Sequence, residues 1–498
     1  MLFTRRSATI AVLVVLACTT SLLGGFSAGP RGAASAAGAS SMSPSAVSPR
    51  AVSPAAVKPP ASHTGLGRPR VNAPIRPGSV FSYPNRGKRN QVAIRQRILN
   101  TINSTWGGRR YRSGAALSSN GRIRIATWTF DDWAIARALY RAHRRGASVQ
   151  VLAAKGPNKG HAPWKWLRKR LPQTLYRRGH PDSANRWSFA RHCRGSCRGY
   201  GGTAHSKYFL FSNVGSSHVR TITVQSSMNL TKMGYQGQWN QASTTWRPGV
   251  YSAFHQIFAE SRRDRPVSDT YREYRDGPVA SIFFPRPRTS GRYDPVMRAL
   301  GAVRCKGATA GGDRLHRTRI RIVQYALYNS RGVWIAKRLR RLWNQGCSIR
   351  IIYAATSRPV LAVLRSRSGR GPVPMRQSVI RNGYGEIVKY NHNKWMTITG
   401  RWRGHRGAYV VFPGSSNWGN LAFSSDEQMQ QIYSVKHTRQ HLLYFAKLWE
   451  QRSSRRPSLG RVSSFGRVLP GAAGAAAEDQ IPEEITFGEG IYKYMPED

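Results

Sequence analysis

Two stretches, "TAHSKYFLF" (203–211) and "KYNHNKWMTITG" (389–400), each set a histidine and a lysine two positions apart in an otherwise apolar, aromatic run. Strand side chains alternate faces, so His205 and Lys207 point the same way, as do His392 and Lys394. Either pair alone reads as the solvated face of an ordinary strand. The recurrence asks for more. Two imidazoles and two ammonium groups gathered in one cleft can handle a phosphoryl group. The lysines neutralise its oxygens, and one neutral imidazole attacks phosphorus. The other, protonated, gives its proton to the leaving alcohol and then activates water. Histidine suits both tasks because its unperturbed pKa of about 6.5 lies near neutrality. An asparagine in a small-residue turn follows each histidine, after 24 residues in "QSSMNLT" and 25 in "PGSSNWG". Ser227, Asn229, Ser415 and Asn417 are therefore candidates to donate hydrogen bonds to phosphoryl oxygens.

The elements that must position these residues are also written twice. "RIRIATWTFDDWAIARALYRAHRRGASVQVLAAK", from Arg122, and "RIRIVQYALYNSRGVWIAKRLRRLWNQGCSIRIIYAAT", from Arg319, share one pattern: alternating strand, amphipathic helix, glycine stop, second strand. Each then runs through an Arg-rich connection to its motif strand and closes on an aromatic-rich helix, "VYSAFHQIFAESRR" or "HTRQHLLYFAKLW". The expected fold class is α/β: a duplicated α/β/α sandwich whose similar halves are related by a pseudo-two-fold axis, with the active site between them. Asp131 and Asp132 fall where strand passes to helix and read as helix capping. His192, His218 and His405 do not recur in both halves and read as surface residues.

These residues resemble the signature of the phospholipase D superfamily, His-x-Lys-x4-Asp followed by Gly-Ser-x-Asn. The copies here are His205-Ser-Lys207 with "SSMN" (226–229) and His392-Asn-Lys394 with "GSSN" (414–417), and the resemblance spans roughly residues 85 to 450. It implies two-domain α/β/α sandwiches and cleavage of phosphodiesters through a phosphohistidine. The chain departs from the signature in having Ser212 and Thr399 where the aspartates would stand, and Ser226 in place of a glycine. In the family an acid about ten residues beyond the asparagine hydrogen-bonds an active-site imidazole. That implies Glu427, in "SSDEQMQ", as an orienting carboxylate for His205 or His392. The matching stretch "QWNQAST" holds the uncharged Asn240 and Gln241. A secreted enzyme of this length resembles the actinobacterial-type phospholipases D, so phospholipid hydrolysis is the first reading. A secreted nuclease and a non-catalytic binder of polyanions are the alternatives.

Composition narrows the chemistry. The formal net charge is +58, and residues 1 to 130 contain no Asp or Glu. Of 21 carboxylates, seven lie in the last 21 residues, which leaves fourteen for the rest of the chain. Two-metal hydrolysis and paired-carboxylate glycosidase sites need converging acids, so no metal or other cofactor is expected. So basic a body draws in polyanions, either an anionic membrane surface or nucleic acid. The segment 161–180, with Trp164 and Trp166 among cations, suits a lipid interface or unpaired bases, and reads most plainly as a covering helix with a basic outer face.

The expected layout is a secretory signal over 1–36, an Ala/Ser/Pro linker over 37–78, halves at 79–275 and 276–452, and a flexible tail over 453–498. The tail's acidic end either stays solvated or folds back on the basic body. Cys193, Cys197, Cys305 and Cys347 remain beyond the signal. In an exported monomer nearest neighbours would pair as 193–197 and 305–347.

Overall fold

The computed structural model describes residues 72, 74–109, 116, 119–171, 186–286, 291–451 and 454–455. The expected signal, most of the linker, residues 172–185 and all of the tail except Ser454 and Arg455 lie outside that set.

The first half contributes strands Gly78–Phe81 (β1), Arg122–Thr127 (β2), Ser148–Ala154 (β3), Phe189–Cys193 (β4), Tyr208–Ser212 (β5), Ile222–Ser226 (β6), Gln238–Trp239 (β7) and Gln241–Thr245 (β8). All but β7 form a seven-stranded sheet, ordered β1-β8-β6-β5-β2-β3-β4. The later strands are Arg272–Asp276 (β9), Val279–Phe283 (β10), Arg319–Leu327 (β11), Ser348–Thr356 (β12), Met375–Arg381 (β13), Ile387–Asn391 (β14), Lys394–Trp402 (β15), His405–Pro413 (β16), Gln428–Tyr433 (β17) and Ser454–Arg455 (β18). With β7 they build an eleven-stranded sheet, ordered β7-β14-β13-β12-β11-β15-β16-β17-β10-β9, and β18 pairs with β13. β9 thus begins the second sheet a few residues ahead of the expected junction at 275/276.

The duplication holds at the level of register. Arg122 faces Ser148 in the parallel pair β2–β3, and Arg319 faces Ser348 in β11–β12. The motif strands β5 and β15 run antiparallel beside β2 and β11. Parallel neighbours need a crossover, and the amphipathic helices Trp133–Arg144 and Asn329–Asn344 supply it. In the first, Ile135, Ala136, Ala138, Leu139 and Ala142 are buried at helical spacing, and Asp132 caps the start by accepting from Ala134 N and Ile135 N. Gly146, at φ +105°, ends it in a conformation that side chains resist.

Helices around Ile98, Leu139 and Leu167 cover one face of the first sheet, and those around Leu300, Leu339 and Leu364 cover one face of the second. The closing helices of the halves lie between the sheets. Pro248–Ser261 brings Phe254 and Phe258 against Phe283 and Val411, whereas Val435–Trp449 brings Tyr444 and Leu448 against Trp239 and Trp395. Each large buried apolar side chain contributes roughly 1.5–3 kcal/mol, so these helices weld the halves together.

Cys193–Cys197 and Cys305–Cys347 are disulfide-bonded, as nearest-neighbour pairing anticipated. His405 is exposed, but His192 and His218 are half-buried and correct the surface reading: Trp164 Nε1 donates to His192, and His218 stacks on Trp106. Trp164 is fully buried, so the helix Ala162–Arg170 covers the sheet. Among the described residues no helix is long and apolar enough to cross a membrane.

Candidate active site

The motif pairs lie where β14 gives way to β15 and just ahead of β5. His205 and His392 are 7% and 3% exposed, and Lys207 and Lys394 are deeper still at 0% and 2%. Each lysine Nζ donates to the carbonyl of its own histidine, Lys207 to His205 O at 2.7 Å and Lys394 to His392 O at 3.0 Å. That contact curls the lysine back to stand beside its imidazole. Lys207 also lies 5.8 Å from the Trp128 ring centre and Lys394 4.8 Å from that of Tyr325. The same two rings pack against the histidines, Trp128 at 5.6 Å from His205 and Tyr325 at 4.8 Å from His392.

What orients each imidazole comes from the other half. His205 N donates to Asp426 O at 3.1 Å, and His392 N donates to Trp239 O at 3.0 Å. These backbone bonds place Glu427 beside His205 and Asn240 beside His392. Glu427 Oε1 accepts from His205 Nδ1 at 2.7 Å. Asn240 Oδ1 lies 3.1 Å from His392 Nδ1. The amide of Asn240 donates to Gly234 O (2.8 Å) and Gln238 Oε1 (3.1 Å), which turns its oxygen towards the histidine. Both rings therefore carry hydrogen on Nδ1.

The support behind these acceptors is duplicated too. Ser227 Oγ donates to Asn240 Oδ1 at 2.7 Å and Ser415 Oγ donates to Glu427 Oε2. The next backbone N–H of each pair, Gln241 or Gln428, donates to that serine Oγ at 3.1 Å. Ser227 and Ser415 thus stand behind the orienting groups, rather than facing a substrate as the sequence reading had them. Asn229 is fully buried and Asn417 half-buried. The Asn417 turn is fixed from below by Arg331, whose Nη1 donates to Ser416 Oγ and Asn417 O, both at 2.8 Å, while its Nε pairs with Asp294 at 2.7 Å.

The two acceptors are chemically unlike. Burial pushes the Glu427 carboxyl up, but His205, Lys207 and Ser415 together outweigh burial and hold it below its ordinary range. Glu427 is therefore an anion at neutral pH. His392 has the neutral Asn240 in that place, and a hydrogen bond to the Ser227 backbone that favours its charged form. Burial, then Lys394, Lys207 and His205, push its pKa well below 6.5. Beside Glu427, Asp426 is pushed up to about 7 by burial, against the Cys197 N–H, Arg198 and Ser196, which favour its anion.

Of the positions of the missing signature aspartates, Ser212 ends β5 and Thr399 lies within β15. Seven residues separate each from its histidine, roughly 20 Å of extended chain. Ser212 Oγ accepts from Arg122 N at 3.1 Å, and Thr399 Oγ1 donates to Gly311 O at 2.7 Å. Neither is near enough to touch a group on the imidazoles. Trp128, Tyr325 and the acceptor role of Asn240 escaped the sequence reading. A signal for the rings was present: each stands six residues beyond the first arginine of its "RIRI".

A family model described as "Cardiolipin synthase, PLD-like domain" matches residues 115–262 and 314–449. No curated protein sequence matches the chain. Among solved structures, polyphosphate kinase from Porphyromonas gingivalis aligns at 11% identity and TM-score 0.48, covering 79% of this chain and 53% of that one. This chain thus spans about half the length of that kinase. Phosphatidylserine synthase from Haemophilus influenzae Rd KW20 aligns at 12% identity and TM-score 0.47, covering 73% and 85%. The phospholipase D family member Nuc from Salmonella typhimurium aligns at 18% identity and TM-score 0.24, covering 36% and 98%. The family match covers more than half of the 498 residues and takes in both histidine–lysine pairs, and the chain belongs to this PLD-like domain family and carries the domain twice.

Proposed function

We propose that the chain is an exported phosphodiesterase of the phospholipase D kind, which hydrolyses phospholipids through a phosphohistidine on His205. The observation that carries this reading is the unequal orientation of the two imidazoles, His205 by the anion Glu427 and His392 by the neutral Asn240. Glu427 holds the proton on Nδ1, which puts the lone pair on Nε2, and stabilises the positive ring that forms when Nε2 bonds to phosphorus. As that bond forms, the bond from phosphorus to the leaving alcohol breaks, and the alcohol takes a proton from His392 Nε2. His392 then removes a proton from water, whose oxygen attacks phosphorus and releases His205. Lys207 and Lys394 stand against the phosphoryl oxygens throughout. The phosphate's negative charge offsets the positive surroundings that deprotonate His392 in the empty site, so His392 takes up its proton with the substrate.

A lipid substrate is supported by the family's description as a cardiolipin synthase domain. Export is supported by the apolar N-terminal stretch and by two disulfides. The net charge of +58 favours a second reading, a nuclease. One assay separates them: purified protein with chelator, given phosphatidylcholine vesicles and single-stranded DNA in parallel. Release of choline and phosphatidic acid is the expected result. Shortened DNA with intact lipid supports the nuclease, and binding without cleavage of either overturns the enzyme reading.

A further inference from the structure

The helices Trp133–Arg144 and Ala162–Arg170 carry a patch that the chemistry above does not use. Trp133 is 41% exposed, an unusual position for so large an apolar ring. It packs edge-on against Trp166, with ring centres 5.9 Å apart, and Trp166 packs edge-on against Tyr140 at 5.5 Å. Arg137 lies over the Trp133 face at 5.3 Å and Arg170 over the Trp166 face at 4.2 Å. Arg137, Arg144, Lys165, Lys169 and Arg170 are exposed around the rings. No Asp or Glu occurs from Trp133 to Pro181.

The Trp133 end of the patch lies towards the active-site edge. The helix Trp133–Arg144 starts just beyond the carboxyl end of β2, where Ala126 faces Tyr208, the residue after Lys207. Trp128 packs on His205, and five residues of chain span at most about 18 Å, which bounds its distance from Trp133.

We propose that this patch docks the protein on an anionic bilayer, holding the cleft over its lipid substrate. The proposal rests on the phospholipid reading of the site and adds the surface that meets the membrane. Two features favour a bilayer over nucleic acid. Trp and Tyr rings beside Arg and Lys suit the headgroup zone, where rings sit among the ester groups and cations reach the phosphates. Unpaired bases, by contrast, need open ring faces, and here a guanidinium group lies over one face of Trp133 and one of Trp166.

The test measures sedimentation with vesicles of phosphatidylglycerol and phosphatidylcholine, at low salt, on the full chain. Arg137→Glu/Arg170→Glu and Trp133→Ala are compared with Arg314→Glu/Lys337→Glu, which makes the same charge change at exposed sites of the second half. Each lost cation is worth roughly fivefold in binding, so the patch double variant should lose about twenty-five-fold or more. The control should lose far less. Hydrolysis of a small soluble phosphodiester should be unchanged in the patch variants. Equal losses in patch and control variants would overturn the proposal in favour of diffuse charge. Retained vesicle binding with lost binding to single-stranded DNA would overturn it in favour of a nucleic-acid face. Vesicle binding needs no turnover. A protein that docks through the patch but cleaves no phospholipid would sink the proposed reaction and leave the docking surface standing.

Discussion

Glu427→Gln isolates the charge that distinguishes the two histidines. The substitution is nearly isosteric: the side-chain oxygen still accepts from His205 Nδ1, and the new amide can donate to Ser415 Oγ. What disappears is a full negative charge at 2.7 Å from that nitrogen. In the phosphohistidine and the transition state before it, the His205 ring is positive. Opposite charges about 4 Å apart attract by roughly 4 kcal/mol at an effective dielectric of about 20. The lower bound is the difference between a charge-assisted and an ordinary hydrogen bond, about 1 kcal/mol. The variant should therefore lose between about fivefold and a thousandfold in kcat. KM should change little, because Glu427 touches the histidine and not the substrate. Rapid-quench measurement of phosphoenzyme, using a slow substrate labelled in its phosphate, reads the step directly. Peptide mapping should place the label on His205. Turnover within threefold of the parent, or label on His392, would refute the assignment of His205 as nucleophile under Glu427.

Changing His205, Lys207, His392 or Lys394 to Ala should each cost several orders of magnitude in kcat with chelator present, because all four act on one phosphoryl group; near-full activity in any one would break the shared site. Sulfate, which does not titrate near neutrality, should bind the cleft with net proton uptake, since its charge raises a His392 pKa that burial and the two lysines hold down. Calorimetry in buffers of different ionisation enthalpy measures that uptake, and none would contradict the proton's arrival with substrate. His255 is held at about 4 and His441 at about 3, chiefly by burial, and His392 is also depressed. Their contribution to stability is complete above about pH 6.5 and is lost as pH falls from there through their folded values; Asp426, raised to about 7, works the other way but is one group against three, so the urea midpoint should fall between pH 7 and pH 5. Arg331→Met leaves Asp294, which is 0% exposed, as an uncompensated buried charge and should destabilise by roughly 3–5 kcal/mol; an unchanged urea midpoint would show the pair to be dispensable.

The sequence disclosed what its own periodicity encodes. Strand alternation put His205 with Lys207 and His392 with Lys394, and the repeated "RIRI" strands and glycine-stopped helices disclosed the duplication. Cysteine spacing was enough for both disulfides. The resemblance implied Glu427 for one of the two histidines, but which one was hidden, because nothing local to His205 announces a residue more than two hundred positions away. Asn240 stood out only as an uncharged match to Glu427. Its role depends on β7 leaving its own half to pair with β14, which turns the following residue towards His392. Ser227 and Ser415 were misplaced for a related reason: a hydroxyl in a small-residue turn can face either a ligand or a neighbouring side chain, and only the packing of β8 and β17 decides.

The junction between β1 and the last long helix has a consequence for chain order. Ser79 N donates to Gln440 Oε1 at 2.9 Å, Tyr444 Oη donates to Ser82 O at 3.1 Å, and Asn85 Nδ2 donates to Gln451 Oε1 at 3.4 Å. The start and finish of the described body are thus neighbours, and the polypeptide follows a nearly closed ring. A short linker from residue 451 back to residue 78, with new ends opened between the exposed Arg265 and Pro266, would circularly permute the protein so that the second half is synthesised first. His205 would still meet Glu427, and His392 would still meet Asn240, because neither contact depends on which half leads. The order in which the ribosome makes the halves is then a matter of history, and the chemistry is indifferent to where the ring was cut.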